Sequence, residues 1–171
     1  HGPRHAQALR VSAEVAGLSP DQALRIAFAC EQLIRRFALC NDAGDHAALA
    51  RMFVRDGSFS RPTAPDAPVQ GRAAIEAMFR DRPRRFTRHL ILNTVVDVLS
   101  PTQARATSYV ALYVADAGSE EAGAPPYPST GPQLLGGFDD ELVLVDGDWR
   151  FQSRRGSLAL RIAPQPGAQP A

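Results

Sequence analysis

The sequence predicts an α+β domain with helices first and long antiparallel strands after them. Three observations carry this. A helical stripe runs from Ala23 to Asn41 between a strong start and a glycine stop. After Phe86 the apolar period changes to two. An Asp146-Gly147-Asp148 hairpin signal then separates two further period-two runs. Helices followed by a run of strands, with no alternation, is the order of an α+β fold.

Each element follows from local chemistry. Ser19 can cap, Pro20 suits the first helical position, and Gln22 completes a capping box. Ala23, Ala27, Cys30, Ile34, Phe37 and Asn41 then fall on one stripe, and Gly44 ends the helix. Asp45 caps a second, short helix over Ala47–Phe53. Arg55-Asp56-Gly57 reads as a turn and Ser58–Arg61 as a short strand, and Pro62, Pro65 and Pro68 as an irregular loop. Gly71–Phe79 is a third helix, ended near Pro83. Strands are predicted over Arg88–Leu99, Ala104–Ala115 and Gln133–Val145, and from Trp149 to about Leu160. Residues 116–132 are a long loop, residues 1–18 a loose arm and residues 163–171 a disordered tail, leaving one domain over 19–162.

Composition excludes several roles. The chain has 171 residues, 44% hydrophobic and 22% charged, enough for one domain with a real core. A formal net charge of +1 is too small for a nucleic-acid footprint. All 19 basic residues are Arg. No apolar run reaches the roughly 18 residues that span a membrane. Cys30 and Cys40 lie ten helical residues apart, about 15 Å, too far for a disulfide. Two buried thiols fit a reducing, cytoplasmic location. No Cys-x-x-Cys pair is present, and the one His-x-x-x-His spacing, His1 with His5, lies in the loose N-terminal arm, so no metal site is expected. His1 and His5 lie in a stretch that starts without Met and are not taken as site residues.

The strands suggest a covered sheet. In Arg88–Leu99, His89, Ile91, Asn93, Val95 and Asp97 share one face, and Leu90, Leu92, Thr94, Val96 and Val98 the other. Both are about equally apolar, whereas a half-solvated strand alternates sharply. Helices would cover one face and a second copy of the chain the other, predicting a homodimer through the sheet. Polar His89 and Asn93 among apolar neighbours describe a small-molecule pocket. Tyr109, Tyr113, Phe138 and Trp149 could form its aromatic walls.

Two residues stand out. Asp42 lies in the last helical turn, where a negative charge opposes the helix dipole at a cost of about 0.3–1 kcal/mol. Such a local conflict hints at another role. His89 is a titratable group in an apolar strand; a carboxylate beside it would fix its tautomer and raise its basicity. The plainer alternatives are a helix-end carboxylate bonding backbone N–H groups, and a core histidine satisfied by one carbonyl. Asn41, near the centre of the helix's apolar stripe, needs a partner. Asp140 shares a strand face with Phe138 and Leu142 and could reach the pocket; edge solvation is the alternative. The arginines at 80, 82, 84, 85 and 88 read as a solvated loop, with an anion site as the alternative.

Four segments together resemble the SnoaL-like branch of the nuclear-transport-factor-two-like superfamily. They are Phe37–Gly57, Gly71-Arg72-Ala73-Ala74-Ile75, Thr87-Arg88-His89-Leu90-Ile91-Leu92-Asn93, and Gly136-Gly137-Phe138-Asp139-Asp140 leading to Asp146–Phe151. The resemblance implies an α+β barrel, a cone of curved, mostly antiparallel sheet closed by the N-terminal helices around an apolar cavity. Within that branch, scytalone dehydratase and hexachlorocyclohexane dehydrochlorinase have a catalytic Asp and His that fall on Asp42 and His89. The dehydratase's second active-site His has no counterpart among Leu112, Tyr113 and Val114, and its Tyr before the Asp is replaced by Asn41. The dehydrochlorinase's Arg falls near Leu144. The resemblance thus implies a lyase or isomerase that needs no cofactor and takes a small apolar substrate. His89 and Asp42 would be catalytic, with Asn41, Asn93, Phe37, Tyr109, Tyr113, Phe138, Asp140 and Trp149 around the substrate. A non-catalytic binding or assembly subunit is the alternative.

Overall fold

A computed structural model describes residues 17–83, 85–115, 126–128 and 133–163. Helix α1 (Pro20–Ala43) starts at Ser19, whose side chain accepts from the Gln22 N–H while the Gln22 side chain accepts from the Ser19 N–H. It ends where Gly44 takes φ 73°, a left-handed conformation that suits glycine, and returns its N–H to Asn41 and Cys40. Helices α2 (His46–Arg51) and α3 (Arg72–Arg80) are short. The strands are β1 (Phe53–Arg61), β2 (Ala64–Gln70), β3 (Phe86–Ser100), β4 (Gln103–Ala115), β5 (Gln133–Val145) and β6 (Asp148–Ile162). They form one six-stranded curved sheet in the order β2-β1-β6-β5-β4-β3. It is a mixed α+β fold whose sheet does not close on itself. All neighbours are antiparallel except β1 and β6, which run parallel.

Two predicted loops are strand. Arg55-Asp56-Gly57 lies inside β1, and the proline-rich segment supplies β2. Pro65 and Pro68 lack an N–H to donate, and β2 tolerates them because it is the sheet's edge. The Asp146-Gly147 hairpin is present, with both residues at positive φ. The predicted arm, tail and long loop lie almost wholly outside the described residues.

A cluster of phenyl rings holds α1 to the sheet. Phe37 meets Phe53, Phe59, Phe79, Phe138 and Phe151 at centroid distances of 5.8–6.4 Å. Cys30, Ile34, Leu49, Ile75 and Leu142 extend this core, all essentially inaccessible. Burying each such side chain contributes about 1.5–3 kcal/mol. Cys30 and Cys40 are free thiols, and burial pushes the Cys30 thiol up to about 12. Among the described residues, no helix is long and apolar enough to cross a membrane.

One residue resets the faces of β3. Asn93 sits at φ 49°, a conformation asparagine adopts more readily than most. There β3 advances from Leu92 to Val95 while its partner β4 advances only from Tyr109 to Thr107. The extra residue is a β-bulge, and it inverts the alternation beyond it. His89 and Ile91 face the helices before the bulge, and Val96 and Val98 do so after it. Asn93, Val95 and Asp97 are exposed.

The outer face of the sheet is apolar and open. Leu90, Leu92, Val95, Tyr109, Tyr113 and Leu160 are each 39–58% exposed there.

Candidate functional site

The end of α1 lies against the beginning of β3, and this brings Asp42 to His89. The imidazole Nδ1 is 2.5 Å from Asp42 Oδ1. The His89 backbone N–H donates to Asp42 Oδ2 at 2.9 Å, and Thr87 Oγ1 donates to Oδ1 at 2.8 Å. The carboxylate is thus gripped by three donors from one strand end. Burial pushes its pKa up, but the bonds from His89 and Thr87 outweigh that and leave it below the ordinary carboxylate value. The awkward charge at the helix end is satisfied by the sheet rather than by its own helix.

The same contact sets the tautomer of His89. A nitrogen 2.5 Å from a carboxylate carries the proton, so in neutral imidazole Nε2 holds the lone pair. Asn41 Nδ2 lies 3.3 Å from that Nε2. Asn41, one residue before Asp42, therefore touches the other end of the same ring. Its amide can donate to neutral imidazole, and turned over it can accept from imidazolium. His89 and Asp42 side chains remain 17% and 10% exposed, so the pair is shielded but reachable.

A cavity opens beside this pair. Its inner part, about 120 Å³, is lined by Phe37, Asn41, Phe59, Phe79, His89 and Phe138, with Ile91, Val110, Leu112, Leu134 and Leu158 completing an apolar wall. It continues into a wider outer basin of about 790 Å³, bounded by Asp42, Thr87, His89 and several arginines. That basin falls in the size range of small-molecule sites. Among the described residues, no three His, Cys, Asp or Glu side chains converge as a metal site.

Of the predicted site residues, Asp42, His89, Asn41, Phe37 and Phe138 meet here. Five do not. Asn93 is turned outward by its own bulge. Tyr109 and Tyr113 lie on the outer face, because His89 pairs with Leu112 and Ile91 with Val110, and directly paired residues share a face. Trp149 starts β6, whereas the cavity opens where β6 ends, so it packs on the far side of the core. Asp140 points inward but not to the cavity: it is buried, with Oδ2 2.9 Å from Arg154 Nη1.

Other residues were not foreseen. Phe59 and Phe79 come from segments with no distinctive local pattern. Thr87 holds Asp42; its place two residues before His89 was a usable signal. Arg82 belongs to the basic run and turns inward over the Phe79 ring, 4.2 Å from its centroid. Arg61 ends β1 beside it.

The profile of the SnoaL-like domain family matches residues 22–155. The chain belongs to that family. Solved structures agree on the fold. A candidate scytalone dehydratase from Novosphingobium aromaticivorans is 24% identical, with a TM-score of 0.69 over 88% of this chain and 100% of that one. LinA is 17% identical, with a TM-score of 0.72 over 90% and 99%. ActVI-ORFA from Streptomyces coelicolor is 26% identical, with a TM-score of 0.59 over 77% and 95%. No curated protein matches the chain.

Proposed function

We propose that this SnoaL-like protein is a lyase or isomerase that works without a cofactor on a small, largely apolar molecule. His89 is the base and Asp42 supports it. The observation that carries this is the 2.5 Å contact from Nδ1 to Asp42, which leaves Nε2 as the lone pair at the cavity wall. Nε2 takes a proton from a carbon next to a carbonyl. The C–H electron pair forms a double bond, and a hydroxyl on the neighbouring carbon leaves with its own electrons. The imidazolium then returns the proton to that hydroxide, giving water. In an isomerisation the proton returns instead to another carbon of the same substrate. Asp42 stabilises the imidazolium in either case, and Asn41 can turn its carbonyl to the new Nε2–H. The likeness to a candidate scytalone dehydratase is consistent with an elimination.

The test is deuterium incorporation and elimination across a panel of cyclic β-hydroxy ketones in D2O, followed by NMR. General-base removal costs about 10²–10⁴-fold. His89→Ala and Asp42→Asn should each lose turnover by that order with unchanged circular dichroism. Retention of full turnover in both variants rules the proposal out.

We also propose that a second copy of the chain covers the outer face of the sheet. Leu90, Leu92, Tyr109 and Tyr113 form a continuous patch across two paired strands, suited to a self-complementary two-fold contact. Sedimentation should give a dimer, and Leu92→Asp with Tyr109→Asp should give a monomer. A monomeric native protein at tens of micromolar would refute the dimer.

A further inference from the structure

The dyad does not use the arginines at the mouth of its cavity. Arg61, Arg80, Arg82, Arg85 and Arg161 all border the outer basin, from three separate parts of the chain. The only described carboxylate on that border is Asp42, already held by His89 and Thr87. Arg80 pairs with Asp81, but Arg61, Arg82, Arg85 and Arg161 make no ion pair with a described residue. Surface arginines that face water need no partner, but Arg82 is not of that kind. Its Nε is buried without a hydrogen-bond acceptor, and its guanidinium lies on Phe79. Its strongest side-chain contact besides the ring is a weak one, Nη2 to Met78 Sδ at 3.6 Å. Burial first, and the Arg61 charge second, pull its pKa down to about 10.

Two like charges are held together there by construction. Arg61 ends β1 just before the turn into β2, and that turn lies directly on Gly156 of β6. A Cβ at Gly156 would collide with Arg61 and Pro62 backbone, so only glycine admits this approach. Arg82 comes from the far side, just past α3. Both residues also line the inner cavity together with Asn41 and His89. An apolar chamber thus has a base in its wall and two mutually repelling guanidinium groups, one short of an acceptor, at its rim.

We propose that Arg82 and Arg61 form a carboxylate subsite, and that the substrate is a small apolar acid whose carboxylate docks there while its ring or chain enters the inner cavity. This deepens the function proposed above and rests on it only for the cavity being the substrate site. A carboxylate accepts two parallel N–H bonds from a guanidinium, which matches what Arg82 lacks. Bound there, it neutralises the Arg61–Arg82 repulsion and fixes which carbon faces His89 Nε2. Arg80, Arg85 and Arg161 on the outer rim add a field that draws anions to the mouth.

Binding can be read without turnover. Calorimetry would compare benzoate, cyclohexanecarboxylate and 2-naphthoate with their methyl esters, with acetate as a control for charge alone. At least one acid should bind the native protein about tenfold or more tightly than its ester. Arg82→Gln and Arg61→Gln should each remove most of that preference by weakening acid binding much more than ester binding, and Arg82→Lys should retain part of it. Arg61 is exposed, so its variant tests the subsite even if Arg82→Gln lowers the melting temperature. His89→Ala should abolish chemistry yet keep the acid-over-ester ratio, which separates failure of the subsite from failure of the dyad. If no acid outbinds its ester, or if the preference survives in the Arg61→Gln, Arg82→Gln double variant, the subsite does not exist.

Discussion

Two carboxylates in this protein each face one cation-forming partner, and they are opposite in character. Asp42 lies at the cavity wall with His89, and Asp140 lies in the dry core with Arg154. Burial alone pushes both carboxyls toward the protonated form. Asp42 overcomes it, because His89 Nδ1, the His89 backbone N–H and Thr87 Oγ1 all bond to it. Asp140 does not. Among the described residues it has one bond, from Arg154, and none at Oδ1; its pKa is raised to about 7 despite the guanidinium, with Asp139 adding a little. Arg154 is held down by the same burial, with Nε and Nη2 also unpartnered. Burial is the largest influence on both; the bonds and charge from His89 with the bond from Thr87 outweigh it at Asp42, whereas the Arg154 charge does not at the more deeply buried Asp140.

The difference has functional meaning. Asp42 is held as an anion beside the ring that serves as the base in the proposed reaction. Asp140 and Arg154 are built into the aromatic cluster: the guanidinium lies 4.0 Å from the Phe138 centroid and 4.6 Å from that of Phe37. Those two rings line the cavity, so the buried pair supports its floor from behind.

The largest stability effect should come from breaking the core pair one-sidedly. Arg154→Met removes the donor that Asp140 has among the described residues and should cost about 3–5 kcal/mol in denaturant unfolding. Replacing both, as Asp140→Leu with Arg154→Met, should recover most of that loss, since neither charge then needs solvation. Equal destabilisation by the single and double variants would mean that packing of the Arg154 plane on the rings, not the ion pair, is what matters.

The two pairs were not equally legible in the sequence. The Asp42–His89 contact joins a helix end with its own glycine stop to a strand start, and those boundaries are locally encoded by Gly44 and by the onset of period two. The strand pattern puts Asp140 on one face with Phe138 and Leu142, but neither the pocket nor edge solvation accounts for it, because its partner Arg154 cannot be read from the sequence. Arg154 lies in a strand where Phe151 and Arg154 both face inward, with the neighbouring register broken at Glu141/Leu142. The same limit misplaced the tyrosines. If the register Val95–Thr107 continued without interruption, His89 would pair with Tyr113. The bulge at Asn93 shifts it by one, so His89 pairs with Leu112 and the tyrosines face out. A single positive φ at a non-glycine residue decides this, and no periodicity reports it. The fold class and helix caps survive such errors because many residues vote for them. Cavity lining depends on parity, which one residue inverts.

The smaller expected effect is a pH signature that separates the two carboxylates. Asp42 has a folded-state pKa below its unfolded value, ordinarily about 3.9. Its contribution is therefore fully present above about pH 4 and is lost as pH falls through the lower folded value. Asp140 has a folded-state pKa raised to about 7. The folded state then binds more protons than the unfolded state between about pH 4 and pH 7, so its linkage makes stability fall as pH rises across that window. Urea unfolding from pH 3 to 8 should therefore show opposite changes in two variants. Asp42→Asn should flatten the acid limb below pH 4 and leave the neutral slope intact. Asp140→Asn should leave the acid limb and remove the decline between pH 4 and pH 7. A native-like slope in that neutral window for Asp140→Asn would show that Arg154 keeps Asp140 ionised after all, and the contrast between the two carboxylates would then reduce to exposure alone.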